Sequence, residues 1–158
     1  MSGGGAAGRG SLDPTDAAFI DVVTDLLHRG HSVRFRAKGS SMHPTIREGE
    51  AITVAPAQSA GIKRGDVILY RVGQGVIAHR MTRVERGPDG AVVFVPRGDA
   101  SPSRDDPVEE AAILGRVMAV ERGGRTLDPA ALRARALAAA RTVSTRLRCW
   151  LRARLPGL

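Results

Sequence analysis

The chain reads as a mainly β domain, with one helix before it and a long amphipathic helix after it. Its apolar residues fall in short alternating or continuous runs separated by Gly, Pro and Asp clusters, the pattern of strands and turns. Aromatic residues are scarce, with three Phe, one Trp and one Tyr among 158 residues, so the core has to be built from Val, Ile, Leu and Ala. After Leu127-Asp128-Pro129 the composition changes to Ala, Leu and Arg with apolar residues every three to four positions.

Residues 1–11 are Gly and Ala rich, without the apolar centre of a secretory signal, and are expected to form a disordered leader. Residues 12–128 are expected to form the domain. From Leu12 to Gly30, Phe19, Val22, Val23, Leu26 and Leu27 recur at helical spacing; Asp13 suits a cap, Pro14 the first turn and Gly30 the end. Asp16, Asp21, Asp25 and His28 interrupt the apolar residues, so this helix belongs on a domain surface and not across a bilayer.

Ser32 to Ala37 alternates Val33, Phe35 and Ala37 with Arg34 and Arg36, a strand buried on one face. Further strands are predicted at Ala51 to Val54, Val67 to Val72, Gly75 to Val84, Ala91 to Val95 and Ile113 to Val120. Gly65-Asp66, Gly73, Pro88-Asp89-Gly90 and Arg122-Gly123-Gly124 separate them. Residues 129–158 are expected to form one arginine-rich amphipathic helix carrying Leu132, Ala136, Ala139, Val143, Leu147, Trp150 and Leu151 on its apolar stripe, ending near Pro156-Gly157.

The net charge of +8 belongs to that tail: residues 129–158 hold seven arginines and no acid, while the remainder is nearly balanced. Such a face is either solvated or attracted to anionic lipid, RNA or an acidic protein. The lone Cys149 excludes an intramolecular disulfide and any multi-cysteine metal site. Neither a metal nor a cofactor is expected, since no ligand constellation is present.

A serine hydroxyl is a weak nucleophile unless a base lies within hydrogen-bond reach and donors await the oxyanion. Gly39-Ser40-Ser41-Met42-His43-Pro44-Thr45-Ile46 offers a glycine for unusual loop geometry, a serine, and a proline that stiffens the exit. Downstream lie Arg64-Gly65-Asp66-Val67-Ile68, then Ile77-Ala78-His79-Arg80-Met81, then Val95-Pro96-Arg97-Gly98-Asp99-Ala100 through Asp105-Asp106, and finally Gly115-Arg116-Val117.

In this order, from about Phe35 to Arg122, the blocks resemble the type I signal peptidases of the archaeal and endoplasmic-reticulum branch, in which histidine stands where the bacterial enzymes keep lysine. The resemblance implies a signal-peptidase/LexA-like β domain, with Ser41 as nucleophile, His79 as base and Asp106 as the acid that orients it. Asp99 and Asp105 are the alternatives, either as that acid or as structural residues. Ser40, Met42, Gly39 and Pro44 would shape the loop and oxyanion site. Gly39 departs from the family pattern, which often has a serine there to assist the oxyanion. Taken singly, Ser41 is a turn residue and His79 a strand histidine. The remaining histidines, His28, His31 and His43, have simpler readings at a helix end and in a variable loop position.

The resemblance thus implies a serine endopeptidase (a hydrolase) that processes a peptide or precursor protein with small residues before the scissile bond. One alternative is a LexA-like self-cleaving regulator. Those proteins use lysine as base and carry a helix-turn-helix, for which the segment before Ser41 has no room; Ala60-Gly61 would be the self-cleavage bond. The other alternative is a non-catalytic peptide- or membrane-binding module, in which the C-terminal helix meets lipid phosphates peripherally. No specific nucleic acid is expected. The expected setting is cytoplasmic or peripheral at a membrane, as neither a spanning segment nor a signal peptide is evident.

Overall fold

The computed structural model describes residues 16–137. The expected leader at 1–11, Asp13, Pro14 and the C-terminal stretch from Ala138 onward, with Cys149 and Trp150, lie outside the described residues. Helix α1, Ala17–His28, has Asp16 at its N-cap position and ends where Gly30 takes a φ of +85°. It buries Phe19, Ile20, Val23 and Leu27. Val22, expected on the apolar face, is exposed, because Ile20 lies on the i, i+3, i+7 row with Val23 and Leu27 and occupies that side.

Among the described residues, eight strands form one antiparallel sheet: β1 (Val33–Arg36), β2 (Ala51–Pro56), β3 (Val67–Val72), β4 (Gly75–Arg86), β5 (Val92–Arg97), β6 (Val108–Glu109), β7 (Ile113–Arg122) and β8 (Arg125–Leu127). Their order is β1-β2-β7-β3-β4-β5-β6, with β8 paired to β7. The strands predicted from alternation are present, with ends displaced by a few residues at most. The short β6 and β8 are additional, being too brief to display a periodic pattern.

The continuous apolar run of β3 is explained by burial on both faces. Val67 and Leu69 enter a first core with α1, β2 and β7, while Ile68 and Tyr70 enter a second with Met81, Phe94, Val108 and Ile113. Phe19 and Phe35 meet edge to face at 5.2 Å in the first core, a favoured aromatic geometry. Residues 129–137 are helical. Asp128 Oδ1 accepts from the Ala130 N–H at 2.7 Å, capping this segment, and Leu132 is buried in the first core. Its opening turns therefore pack on the β domain. Among the described residues no helix is long and apolar enough to cross a membrane.

The ladder of β4 changes partner midway. It pairs with β3 from Gly75 to Arg80, and with β5 from Arg80 to Arg86. Over residues 75–79, the edge of β4 away from β3 has no strand partner among the described residues.

Candidate active site

The Ser41 loop follows β1 and is folded by its own sequence. Gly39 adopts φ +85°, a conformation that strongly favours glycine, and the peptide before Pro44 is cis. Short-range bonds from His43 N–H to Ser40 O and from Ile46 N–H to Met42 O, each 3.0 Å, close the turn. Met42 and Ile46 are buried in the first core, pinning the loop on either side, whereas Ser41 itself is exposed.

His79 lies on β4 where the unpaired edge ends, and it is the only buried histidine of the four. Its Nε2 is 2.8 Å from Ser41 Oγ, and its Nδ1 is 2.5 Å from Asp105 Oδ2. A carboxylate can only accept, so Nδ1 carries the proton and Nε2 is left to accept from the Ser41 hydroxyl. His28 and His31 stand exposed at the end of α1, and His43 is exposed in the loop.

The acid brought to His79 is Asp105 and not Asp106, the residue first expected there. The Asp105 N–H donates to Pro96 O at 3.1 Å, which anchors the returning loop against β5 and turns the Asp105 side chain inward. Asp106, next along the chain, is exposed. A second donor, the Tyr70 hydroxyl, reaches Asp105 Oδ2 at 2.7 Å. Tyr70 lies in a run that reads as plain core, and no sequence pattern singles it out.

Asp99 has a different position. Arg80, 2% exposed, donates to it from Nε at 2.8 Å and from Nη2 at 2.7 Å, and Thr45 Oγ1 donates to Asp99 Oδ2 at 2.5 Å. Burial alone would push the Asp99 carboxyl up, but these hydrogen bonds, with the charges of Arg80 and Arg133, hold it below the usual aspartate range. Arg80 Nη1 also donates to Gly65 O at 2.6 Å. One buried ion pair therefore ties the serine loop, the histidine strand, the Gly65-Asp66 turn and the acidic loop together.

Gly98 completes the enclosure. A Cβ at this position would lie 2.7 Å from Ser41 O and 3.1 Å from His79 Nε2. Beside it, the Ala100 N–H donates to Ser41 O at 2.8 Å. A cleft of about 500 Å³ opens from Ser41 and His79, walled by Phe35, Met42, Ile46, Ile52, Leu69 and Val76, with Lys38 and Gly39 also lining it. It adjoins the unpaired edge of β4 through Ile77 and Ala78. Among the described residues, no group of three or more His, Cys, Asp or Glu is arranged to hold a metal ion.

The chain matches a family model described as Peptidase S24-like over residues 4–118, more than half its length. No curated protein matches it.

Proposed function

This chain belongs to the Peptidase S24-like family, and on that premise we propose that it is a serine endopeptidase in which Ser41 is the nucleophile, His79 the base and Asp105 the orienting acid. Membership supports a serine-peptidase or self-cleaving function in general. The observation that carries the specific reading is the unbroken hydrogen-bond chain from Ser41 Oγ through both ring nitrogens of His79 to Asp105.

In this mechanism Ser41 Oγ attacks a peptide carbonyl while its proton passes to His79 Nε2. Asp105 stabilises the imidazolium and keeps it oriented. The oxyanion falls to the Ser41 backbone N–H, because position 39 supplies no side-chain donor. His79 then protonates the leaving amine as the C–N bond breaks, and in the second half takes a proton from the water that hydrolyses the acyl-serine. Histidine at position 79 supports placing the chain with the archaeal and endoplasmic-reticulum type of signal peptidase.

The substrate is an extended peptide or precursor-protein segment that adds a strand to the open edge of β4, with alternate side chains entering the apolar cleft. Self-cleavage at Ala60-Gly61 is less well supported. That dipeptide sits in the one-turn helix Ser59–Gly61, and the adjoining Ile62 is buried in the second core, not among the residues lining the cleft.

The test is hydrolysis of peptides carrying an Ala-x-Ala site by the full chain and by Ser41→Ala and His79→Ala. Cleavage by the full chain and its loss in both variants is expected. Equal cleavage by all three proteins would remove these residues from the mechanism. Intact mass after prolonged incubation reads the self-cleaving alternative, which predicts fragments ending at residue 60.

A further inference from the structure

Tyr70 is the only tyrosine in the chain, and at 1% exposure it is among the most buried side chains. It pairs across the β3–β4 ladder with Ile77, two positions from the Ile68–His79 pair, so Tyr70 and His79 are diagonal neighbours on one face. The rings meet edge to face with centroids 6.4 Å apart. The hydroxyl continues past the imidazole and donates to Asp105 Oδ2, the same oxygen that faces His79 Nδ1.

The Tyr70 side chain packs in the second core with Ile62, Ile68, Met81, Phe94, Val108 and Ile113, and it also borders a cleft lined by Arg104, Asp106 and Glu109. A phenol buried there without a partner would be costly, and Asp105 supplies one. Asp105, for its part, sits outside any strand, with its backbone N–H donated to Pro96 O. Without the phenol, the His79 ring alone among the described sheet side chains would bond its carboxylate.

We propose that Tyr70 is a positioning residue of the Ser41–His79–Asp105 site, aiming the Asp105 carboxylate at His79 Nδ1. The proposal rests on the peptidase reading given above. Tyr70 moves no proton: burial, then the Asp105 carboxylate, push the phenol up, so it remains a donor across the working range of a peptidase. Nor does it line the peptide cleft, so its effect belongs in kcat and not in KM.

The experiment compares the full chain with Tyr70→Phe, which keeps the ring and removes only the hydroxyl. Proton NMR of the full chain should show a far-downfield imidazole Nδ1–H resonance, absent from His79→Ala, which Tyr70→Phe broadens or moves upfield. With an Ala-x-Ala peptide, kcat should fall about tenfold, or about 1.4 kcal/mol of barrier, with KM within about twofold. In an Asp105→Ala background the same substitution should change kcat by less than about twofold. An unchanged resonance in Tyr70→Phe, or equal kcat losses in both backgrounds, overturns the positioning role and leaves the peptidase reading standing. Lack of the downfield resonance in the full chain, together with full activity of Asp105→Ala, overturns the triad itself and the Tyr70 role with it.

Discussion

Gly98→Ala probes how closely the acidic loop approaches the reacting atoms. The backbone of Gly98 lies outside the left-handed region, so alanine meets no φ penalty and the effect is one of space alone. The new methyl would lie 2.6 Å from Ser101 Oγ, which can rotate away. It would also lie 2.7 Å from Ser41 O, a main-chain atom held by the Ala100 N–H. Relief requires the serine backbone or the acidic loop to retreat by about 0.5 Å or more, since carbon contacts are comfortable only beyond about 3.4 Å. Overpacking of this kind costs about 1–3 kcal/mol of stability. As a displacement of about 1 Å at a reacting group lowers rate about a hundredfold, kcat is expected to fall by about ten- to a hundredfold.

Gly115→Ala supplies the control. Its Cβ would lie 2.5 Å from Ala55 O and 2.9 Å from Val54 Cγ1, between β2 and β7. The steric insult is comparable, but it touches neither Ser41 nor His79. Urea unfolding should show both variants destabilised, while peptide hydrolysis per folded molecule should fall only in Gly98→Ala. Full activity in Gly98→Ala, or the same loss in both variants, would refute the reasoning from close approach.

Two further outcomes follow from the carboxylates. Asp105→Asn should lower kcat by about 10³–10⁴, the scale seen when the orienting acid of a serine triad is neutralised, whereas Asp106→Asn should stay within about twofold; peptide hydrolysis by the two variants decides, and the opposite ranking reinstates Asp106. Asp99→Asn leaves buried Arg80 without its countercharge and should cost about 3–5 kcal/mol. Because the Asp99 carboxyl is held low when folded, its stabilisation is complete above the ordinary unfolded value near pH ~4 and is lost as pH falls through the lower folded value. Urea midpoints of the unaltered chain should therefore drop on acidification below that point, and Asp99→Asn should lack this component of the fall.

Much of this architecture was legible because it is periodic. Alternation in Val33 to Ala37 and the uninterrupted Val67 to Tyr70 run report one-sided and two-sided burial directly. Turn glycines mark the boundaries between strands. What escaped depends on non-local geometry. Asp105 and Asp106 are chemically identical neighbours, and what distinguishes them is contacts made across the fold: the tie from Asp105 N–H to Pro96 O and the bonds of Tyr70 and His79 to the Asp105 carboxylate. The role of Tyr70 was invisible for a related reason: its ring obeys the core pattern, and its hydroxyl acts on a residue 35 positions away. Strands β6 and β8 exist through pairing with β5 and β7 and have too few residues to announce themselves.

The serine loop is anchored in one core through Met42 and Ile46, while Tyr70, the partner of the acid, belongs to the other. The proposed Ser41–His79–Asp105 array thus straddles the seam between two packing units, so that local opening of either one would separate its members. Chain order adds a timing element. Ser41 is synthesised early, but Asp105 and the β6 segment that closes the second core come more than 60 residues later. A nascent chain therefore carries the proposed nucleophile long before it holds the residues proposed to activate it.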